Sequence, residues 1–195
     1  IIGNGFDFTD AMKIVAPTLP DVQFAIVNGD SPQEPNLAVY RFDTPQTGFI
    51  AGALAALVSE KGVVGMVAGA SYPHVKDAVV AYEAGAKYIN PDIKVLSGYT
   101  ESWSDMAKGK EMAEAMVDQG ADVLSGNANQ VTLAVLGVAK DKGLRAIGYI
   151  DDQNSVAPEA VASSSIQSVA DLMDRMVDEA IKGEMKPVLN IVGVK

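Results

Sequence analysis

The chain has no cysteine and a single histidine, His74. Without thiols it forms no disulfide, no thiolate metal site and no cysteine nucleophile. With one histidine it builds no multi-histidine metal centre, and a Ser-His-Asp triad would have to use His74. Aromatic residues make up only 6% of the chain, with one tryptophan, Trp103. Basic residues are outnumbered, 15 Lys and Arg against 25 Asp and Glu, for a formal net charge of −10. That balance argues against nucleic acid or an anionic membrane surface as partner, because both need basic patches. No stretch approaches the roughly 18 uninterrupted apolar residues of a membrane span, and no signal peptide is visible. There is no low-complexity tract and no short-period repeat. A cysteine-free acidic chain is compatible with an oxidising compartment without requiring one.

What is present is a core. The 195 residues are 48% hydrophobic, enough for one medium domain or two small ones. Strand-length apolar runs occur at Val22–Asn28, Leu37–Phe42, Val63–Ala68, Ile93–Ser97, Ala121–Ser125, Arg145–Ile150 and Val161–Ile166, with a short one at Val188–Val192. Most are continuous rather than alternating, which suits strands buried on both faces. Helix-like segments lie between them, at Thr9–Val15, Gly48–Glu60, Val75–Tyr88, Met106–Gln119, Gln130–Lys142 and Val169–Lys182. Gly62, Gly120, Gly143 and Gly183 follow helices closely, where glycine lets the last carbonyls be capped. Strand–helix repeats of this kind mean parallel strands with right-handed crossovers. The fold class is therefore α/β, doubly wound. The chain opens on Ile1-Ile2-Gly3-Asn4-Gly5, which reads as the middle or end of a strand, so a leading portion is expected to be missing.

Polar and glycine-rich turns follow the strands: Gly3-Asn4-Gly5-Phe6-Asp7, Gly69 to His74, Tyr99 to Asp105, Gly126-Asn127-Ala128-Asn129-Gln130, Asp151-Asp152-Gln153-Asn154, and Ser163 to Gln167. In a parallel sheet these gather on the carboxyl edge, where open α/β sheets bind ligands. Rings, amides, carboxylates and hydroxyls there suit a neutral polar ligand with a flat ring. Trp103 is either a stacking plate for such a ring or packing over the sheet end. Gly3-Asn4-Gly5 is not a dinucleotide fingerprint, since Phe8 stands where the third glycine is needed. Asp151-Asp152 reads as a solvated turn or a sugar contact before a hard-cation site. His74 has no Gly-x-Ser-x-Gly elbow to serve, and reads as a loop residue that caps a helix or touches ligand. Ser163 to Ser165 read as packing. No catalytic residue, metal ligand or cofactor site is assigned.

Several segments together resemble the basic membrane protein (BMP) family, substrate-binding lipoproteins of ABC transporters related to purine-nucleoside receptors. They are Ile1 to Phe6, Tyr40-Arg41-Phe42, Gly48 to Leu57, Gly62 to Gly69, Tyr82 to Lys87, Asn90 to Val95, Ser102 to Glu111, Asp118 to Val123, and Ala146-Ile147-Gly148 with Asp152-Gln153. The resemblance covers nearly the whole chain. It implies a type I periplasmic binding protein, two doubly wound lobes joined by a hinge, with ligand bound in the cleft. It divides the chain into an N-terminal lobe of residues 1–43 and 155–190, incomplete because the family begins with a further strand–helix–strand–helix unit. Residues 44–154 form the C-terminal lobe, and 191–195 the last hinge crossing. It implies a receptor for a purine nucleoside or purine base, not an enzyme, working as a monomer with an ABC permease. The location implied is periplasmic or extracellular, lipid-anchored through the missing N-terminal segment.

The ligand-binding residues expected are Trp103, Asn127, Asp152, Phe6, Asn4 and Gln167. Two positions depart from nucleoside-binding relatives, which often carry Asp where Ile150 stands and Lys where this chain has Gln167-Ser168. Both lie near the sugar in those relatives, so a free base or another small polar ligand gains ground. The alternatives are a sensor or regulatory module of the same fold, and a doubly wound hydrolase or transferase using His74.

Overall fold

The computed structural model describes residues 1–193. Its strands are β1 (Ile2–Asn4), β2 (Phe24–Val27), β3 (Leu37–Phe42), β4 (Val63–Ala68), β5 (Lys94–Tyr99), β6 (Val123–Asn127), β7 (Arg145–Ile150), β8 (Val161–Ile166) and β9 (Leu189–Val192). Its helices are α1 (Thr9–Val15), α2 (Thr44–Val58), α3 (Pro73–Ile89), α4 (Met106–Asp118), α5 (Gln130–Asp141) and α6 (Val169–Ile181). They form two compact units, one from Ile1–Asp43 with the segment from Ser168 on, the other Thr44–Gln167.

The first unit carries a parallel sheet in the order β1-β2-β3-β9. One buried amide organises its first turn of chain. Asn36 Nδ2 lies 2.9, 2.8 and 2.7 Å from the carbonyl oxygens of Ala16, Leu19 and Val22, along the connection from α1 to β2. On the other face α6 meets β3. The buried Tyr40 hydroxyl donates to Glu179 Oε2, and Arg175 Nε donates to Glu179 Oε1 at 2.7 Å. Burial opposes ionisation of Glu179, but the bonds from Tyr40 and Arg175 outweigh it and hold the carboxyl below its ordinary range.

The second unit is doubly wound, in the order β5-β4-β6-β7-β8, all parallel. From β4 the chain moves outward to β5, then returns to the other side of β4 as β6. The change of direction lies between β4 and β6. Helices α2 and α3 cover one face through Ala51, Ala55, Val79 and Tyr82 against Val64, Met66 and Val123. Helices α4 and α5 cover the other through Ala113, Met116, Val131, Val135 and Leu136 against Val67, Leu124 and Ala146. Two covered faces explain why these strands read as unbroken apolar runs.

Helices α2 and α3 touch backbone to backbone. A Cβ at Gly48 would lie 2.2 Å from Ala78 O, one at Gly52 1.9 Å from Tyr82 O, and one at Gly85 1.9 Å from Phe49 O. No side chain fits at those distances. Helix α2 starts at Thr44 rather than Gly48, because Pro45 sits in the first turn, where its missing N–H has no helical partner to lose.

Two boundaries differ from the sequence reading. Residues 161–166 were expected in the N-terminal lobe; as β8 they pair with β7 and belong to the second unit, which ends at Gln167. Polar Asp152 to Asn154 looks like a crossing but is only the turn between two neighbouring strands. Residues 191–192, expected in a last hinge crossing, instead close the first unit's sheet as part of β9 beside β3. Val194 and Lys195 of that expected crossing lie outside the described residues.

Gly52→Ala forces α2 off α3 and is expected to cost about 3 kcal/mol or more, the scale of severe overpacking, read as a lowered urea midpoint. Glu179 has a depressed folded pKa, so its contribution is present above its unfolded value and is lost as pH falls through the folded one. The stability gap between the parent chain and Glu179→Gln should be full well above the unfolded value of about 4.3 and shrink as pH falls through the lower folded one.

Candidate functional site

In the second unit's sheet Ala68, the last residue of β4, stands level with Tyr99 on one side and Asn127 on the other. This is the carboxyl edge at the point where strand order reverses, the place where doubly wound sheets hold ligands. Gly69 donates its N–H to Asn127 O at 3.0 Å. Trp103 lies directly over Gly69, whose missing Cβ would fall 2.6 Å from Trp103 Cε3. The indole is half-buried and meets the Tyr72 ring at 6.1 Å and 52°. Tyr72 in turn lies 6.2 Å from His74.

The loop that carries Trp103 is held from both ends. Thr100 Oγ1 donates to Ser102 O at 2.7 Å, and Lys108 Nζ donates to Thr100 O at 2.8 Å. Ser102 Oγ accepts the Asp105 N–H at 3.1 Å, and Asp105 Oδ1 caps α4 by accepting the Lys108 N–H at 3.0 Å. Glu101 takes a positive φ of 53° between them. The ring is therefore fixed before any ligand arrives, and little ordering entropy remains to be lost on binding.

Asn127 is the last residue of β6 and only 2% exposed. Its Oδ1 is buried without a hydrogen-bond partner. A buried carbonyl left unpaired costs about 1–3 kcal/mol, so an occupant that donates to it recovers that cost. β6 runs two residues further than the sequence suggested, because Gly126 and Asn127 pair with Val67 and Ala68. That pairing draws Asn127 out of the expected turn and buries it.

The other expected residues divide. Asp152 is exposed in a local turn, its Oδ1 accepting the Asn154 N–H at 3.0 Å. Gln167 is 6% exposed and tied inward: Nε2 donates to Thr47 Oγ1 at 3.0 Å, and its N–H donates to Ile150 O at 2.8 Å. Ser165 Oγ donates to Thr47 O at 3.4 Å. Thr47 follows the point where the chain enters the second unit and Gln167 precedes the point where it leaves, so these bonds join the two crossings. Asn4 and Phe6 belong to the first unit, Asn4 exposed at the end of β1 and Phe6 half-buried in the short helix that follows.

The sequence reading passed over Asn28 and Tyr149, and noted Ile150 for its identity alone, not for its conformation. Asn28 follows β2 with φ 57° and a buried, unpaired Oδ1; the Asn28-Gly29-Asp30 run is its only signal. Tyr149 lies at the carboxyl end of β7, where burial pushes its hydroxyl up to about 12. Ile150 holds φ 69°, with the Asp151 N–H donating back to Tyr149 O at 2.9 Å. That conformation is strained for a β-branched residue, and nothing in its identity announced it. Among the described residues no group of three His, Cys, Asp or Glu is placed to hold a metal ion.

Comparison with known proteins places this α/β fold in a family. Residues 1–193 match the Bmp family model, described as ABC transporter substrate-binding protein PnrA-like. The chain belongs to that family. It is 29% identical over 186 residues to the transcriptional activator protein med of Bacillus subtilis (strain 168), covering 95% of this chain and 57% of that one. It is 30% identical over 159 residues to a purine-binding protein of Brucella abortus (strain 2308), covering 82% of this chain and 45% of that one. A solute-binding protein of an ABC transporter system from Aeropyrum pernix K1 shares the fold with a TM-score of 0.89 at 22% identity, over 98% of this chain and 57% of that one. The chain thus spans about half the length of these relatives.

Gly69→Ala tests the indole contact. The new methyl group must displace the ring, so Trp103 emission should move to longer wavelength while far-UV circular dichroism stays unchanged. An unaltered emission spectrum would mean that the ring does not rest on Gly69.

Proposed function

We propose that this chain is the ligand-holding part of a solute-binding receptor for an ABC importer, and that its ligand is a purine base or nucleoside. The observation that carries the reading is the pairing, on one sheet edge, of a fixed indole with a buried amide oxygen that lacks a donor. A flat heteroaromatic ring with N–H groups satisfies both. Stacking on an aromatic side chain contributes about 1–3 kcal/mol per base, and the hydrogen bond to Asn127 supplies direction. The family description and the purine-binding relative support the same assignment. Asp152 is a further contact in this reading; Gln167 spends its Nε2 on Thr47, which leaves its Oε1 as the atom it could offer a ligand.

Binding alone is the activity proposed. A ligand shifts the conformational equilibrium by its differential affinity for the two states, and the permease responds to the bound form. A receptor of this kind works outside the cytoplasm, anchored by a lipid. Among the described residues no helix is long and apolar enough to cross a membrane. A second reading has its own support: the similarity to a transcriptional activator favours a sensor that uses the same pocket for regulation. Purine-dependent association with a permease supports the receptor; purine-dependent change in a promoter's output, without a permease, supports the sensor.

Titration of adenine, guanosine, ribose and amino acids against Trp103 fluorescence tests the ligand class. A saturable response to purines is expected, with Trp103→Ala weakening binding by about 10- to 100-fold. A response confined to a sugar or an amino acid would refute it.

A further inference from the structure

Helix α2 has no charged side. From Thr44 to Val58 it carries no Asp, Glu, Lys or Arg. A helix that is apolar all round belongs in an interior, yet only two sides of α2 are covered. Ala51 and Ala55 face the sheet, and Gly48 and Gly52 meet α3. The outer side is left in solvent, with Leu57 64% and Ile50 41% exposed and Phe49 and Ala53 half-buried. Helix α3 extends the same surface. Tyr88, 76% exposed, meets the Phe49 ring at 5.6 Å, and Ala84 one turn earlier is exposed as well.

Area and charge indicate what covers this surface. Its six residues expose roughly 400–500 Å² per copy, the size of the largest patch on an ordinary monomer. Two such surfaces face to face bury about 1,000 Å², the lower limit of a specific protein interface. The chain carries a net charge of −10, so two copies repel over most of their surface. Here they do not. Helix α2 is uncharged, and α3 balances Lys76 and Lys87 against Asp77 and Glu83, with Lys87 paired to Glu83. The exposed apolar cluster of the first unit lacks that balance: Ile181, 80% exposed, sits on α6 with Asp171, Asp174, Asp178 and Glu179 against Arg175 alone. A lipid surface fits α2 less well than a protein, because helices that lie on membranes carry Lys and Arg beside their apolar face.

We propose that the outer faces of α2 and α3 hold a second copy of this chain, in a two-fold contact where each patch covers the other. This replaces the monomer that the family resemblance implies, and it does not depend on the identity of the ligand. The contact lies a helix layer away from the sheet, so it leaves the carboxyl edge of each copy free.

Sedimentation equilibrium of the unmodified chain, from micromolar to millimolar concentration, tests the inference. A reversible monomer–dimer equilibrium is expected, with a dissociation constant of about 1–100 µM for a contact of this size. Leu57→Lys and Tyr88→Lys should each raise it at least about tenfold, while Ile181→Lys, with the same change of charge, leaves it unaltered. All three positions are exposed, and unchanged far-UV circular dichroism checks that the variants fold. Added salt should strengthen the association by screening the net charge. A chain that stays monomeric at millimolar concentration overturns the inference. So does a dimer that salt weakens, or one that Ile181→Lys disrupts and Leu57→Lys does not. Co-sedimentation of the monomer with neutral phosphatidylcholine vesicles, abolished by Leu57→Lys, would assign the face to lipid and overturn it equally.

Discussion

The contact between α2 and α3 governs the second unit. Three glycines let two helices approach until carbonyl oxygens lie where side chains would be. The approach brings the start of α2 down beside the carboxyl end of the sheet. There Thr44 donates to His74 O at 2.8 Å, and Thr47 receives Gln167 and Ser165. The first turn of one helix thereby fixes the start of another and the end of β8. The geometry of the edge follows from these glycines. A helix with ordinary side chains at those positions would stand farther off.

The edge also shows how the energetic cost of a site is distributed. Most polar groups around it are satisfied internally. Asp122, at the opposite end of the sheet, is an example of complete satisfaction: its carboxylate accepts from Ser59 Oγ and from the N–H groups of Glu60 and Lys61, each at 2.7 Å. Asn127 is the contrast, held in a strand by its backbone and left with an unpaired oxygen. Native interiors rarely leave such a group, and an exception calls for a cause. Ligand recognition is a sufficient one, because an acceptor kept dry and unpaired rewards a donor more than a hydrated acceptor does. Ile150, in a strained left-handed conformation at the same edge, fits the pattern in which strain gathers at functional sites.

The class of fold was legible because it rests on patterns that burial imposes. Strands covered on both faces lack polar alternation, and helices that end at glycines mark their own boundaries. Trp103 was legible for a related reason: an aromatic residue between an apolar run and a capped helix has to lie at a strand's carboxyl end. What could not be read depended on partners distant in the chain. Gln167 reads as a ligand contact, and nothing near it in the chain announces that its Nε2 is held by Thr47, 120 residues away. Asn127 looked like a turn residue until its pairing with Ala68 placed it in a strand. The polar turn after β7 resembled a domain crossing, and pairing of β8 with β7 decided otherwise. Hydrogen bonds and sheet registers of this kind leave no periodic trace.

The central claim is that Trp103 and Asn127 form one recognition surface. It is tested most directly by following two side-chain resonances, the Trp103 indole N–H and the Asn127 amide, in a nuclear magnetic resonance titration with adenine. The account predicts that both move together along a single saturation curve, with the Asn127 signals shifting in the direction of a newly accepted hydrogen bond. Movement of the indole alone, or of neither while adenine binds, would contradict it.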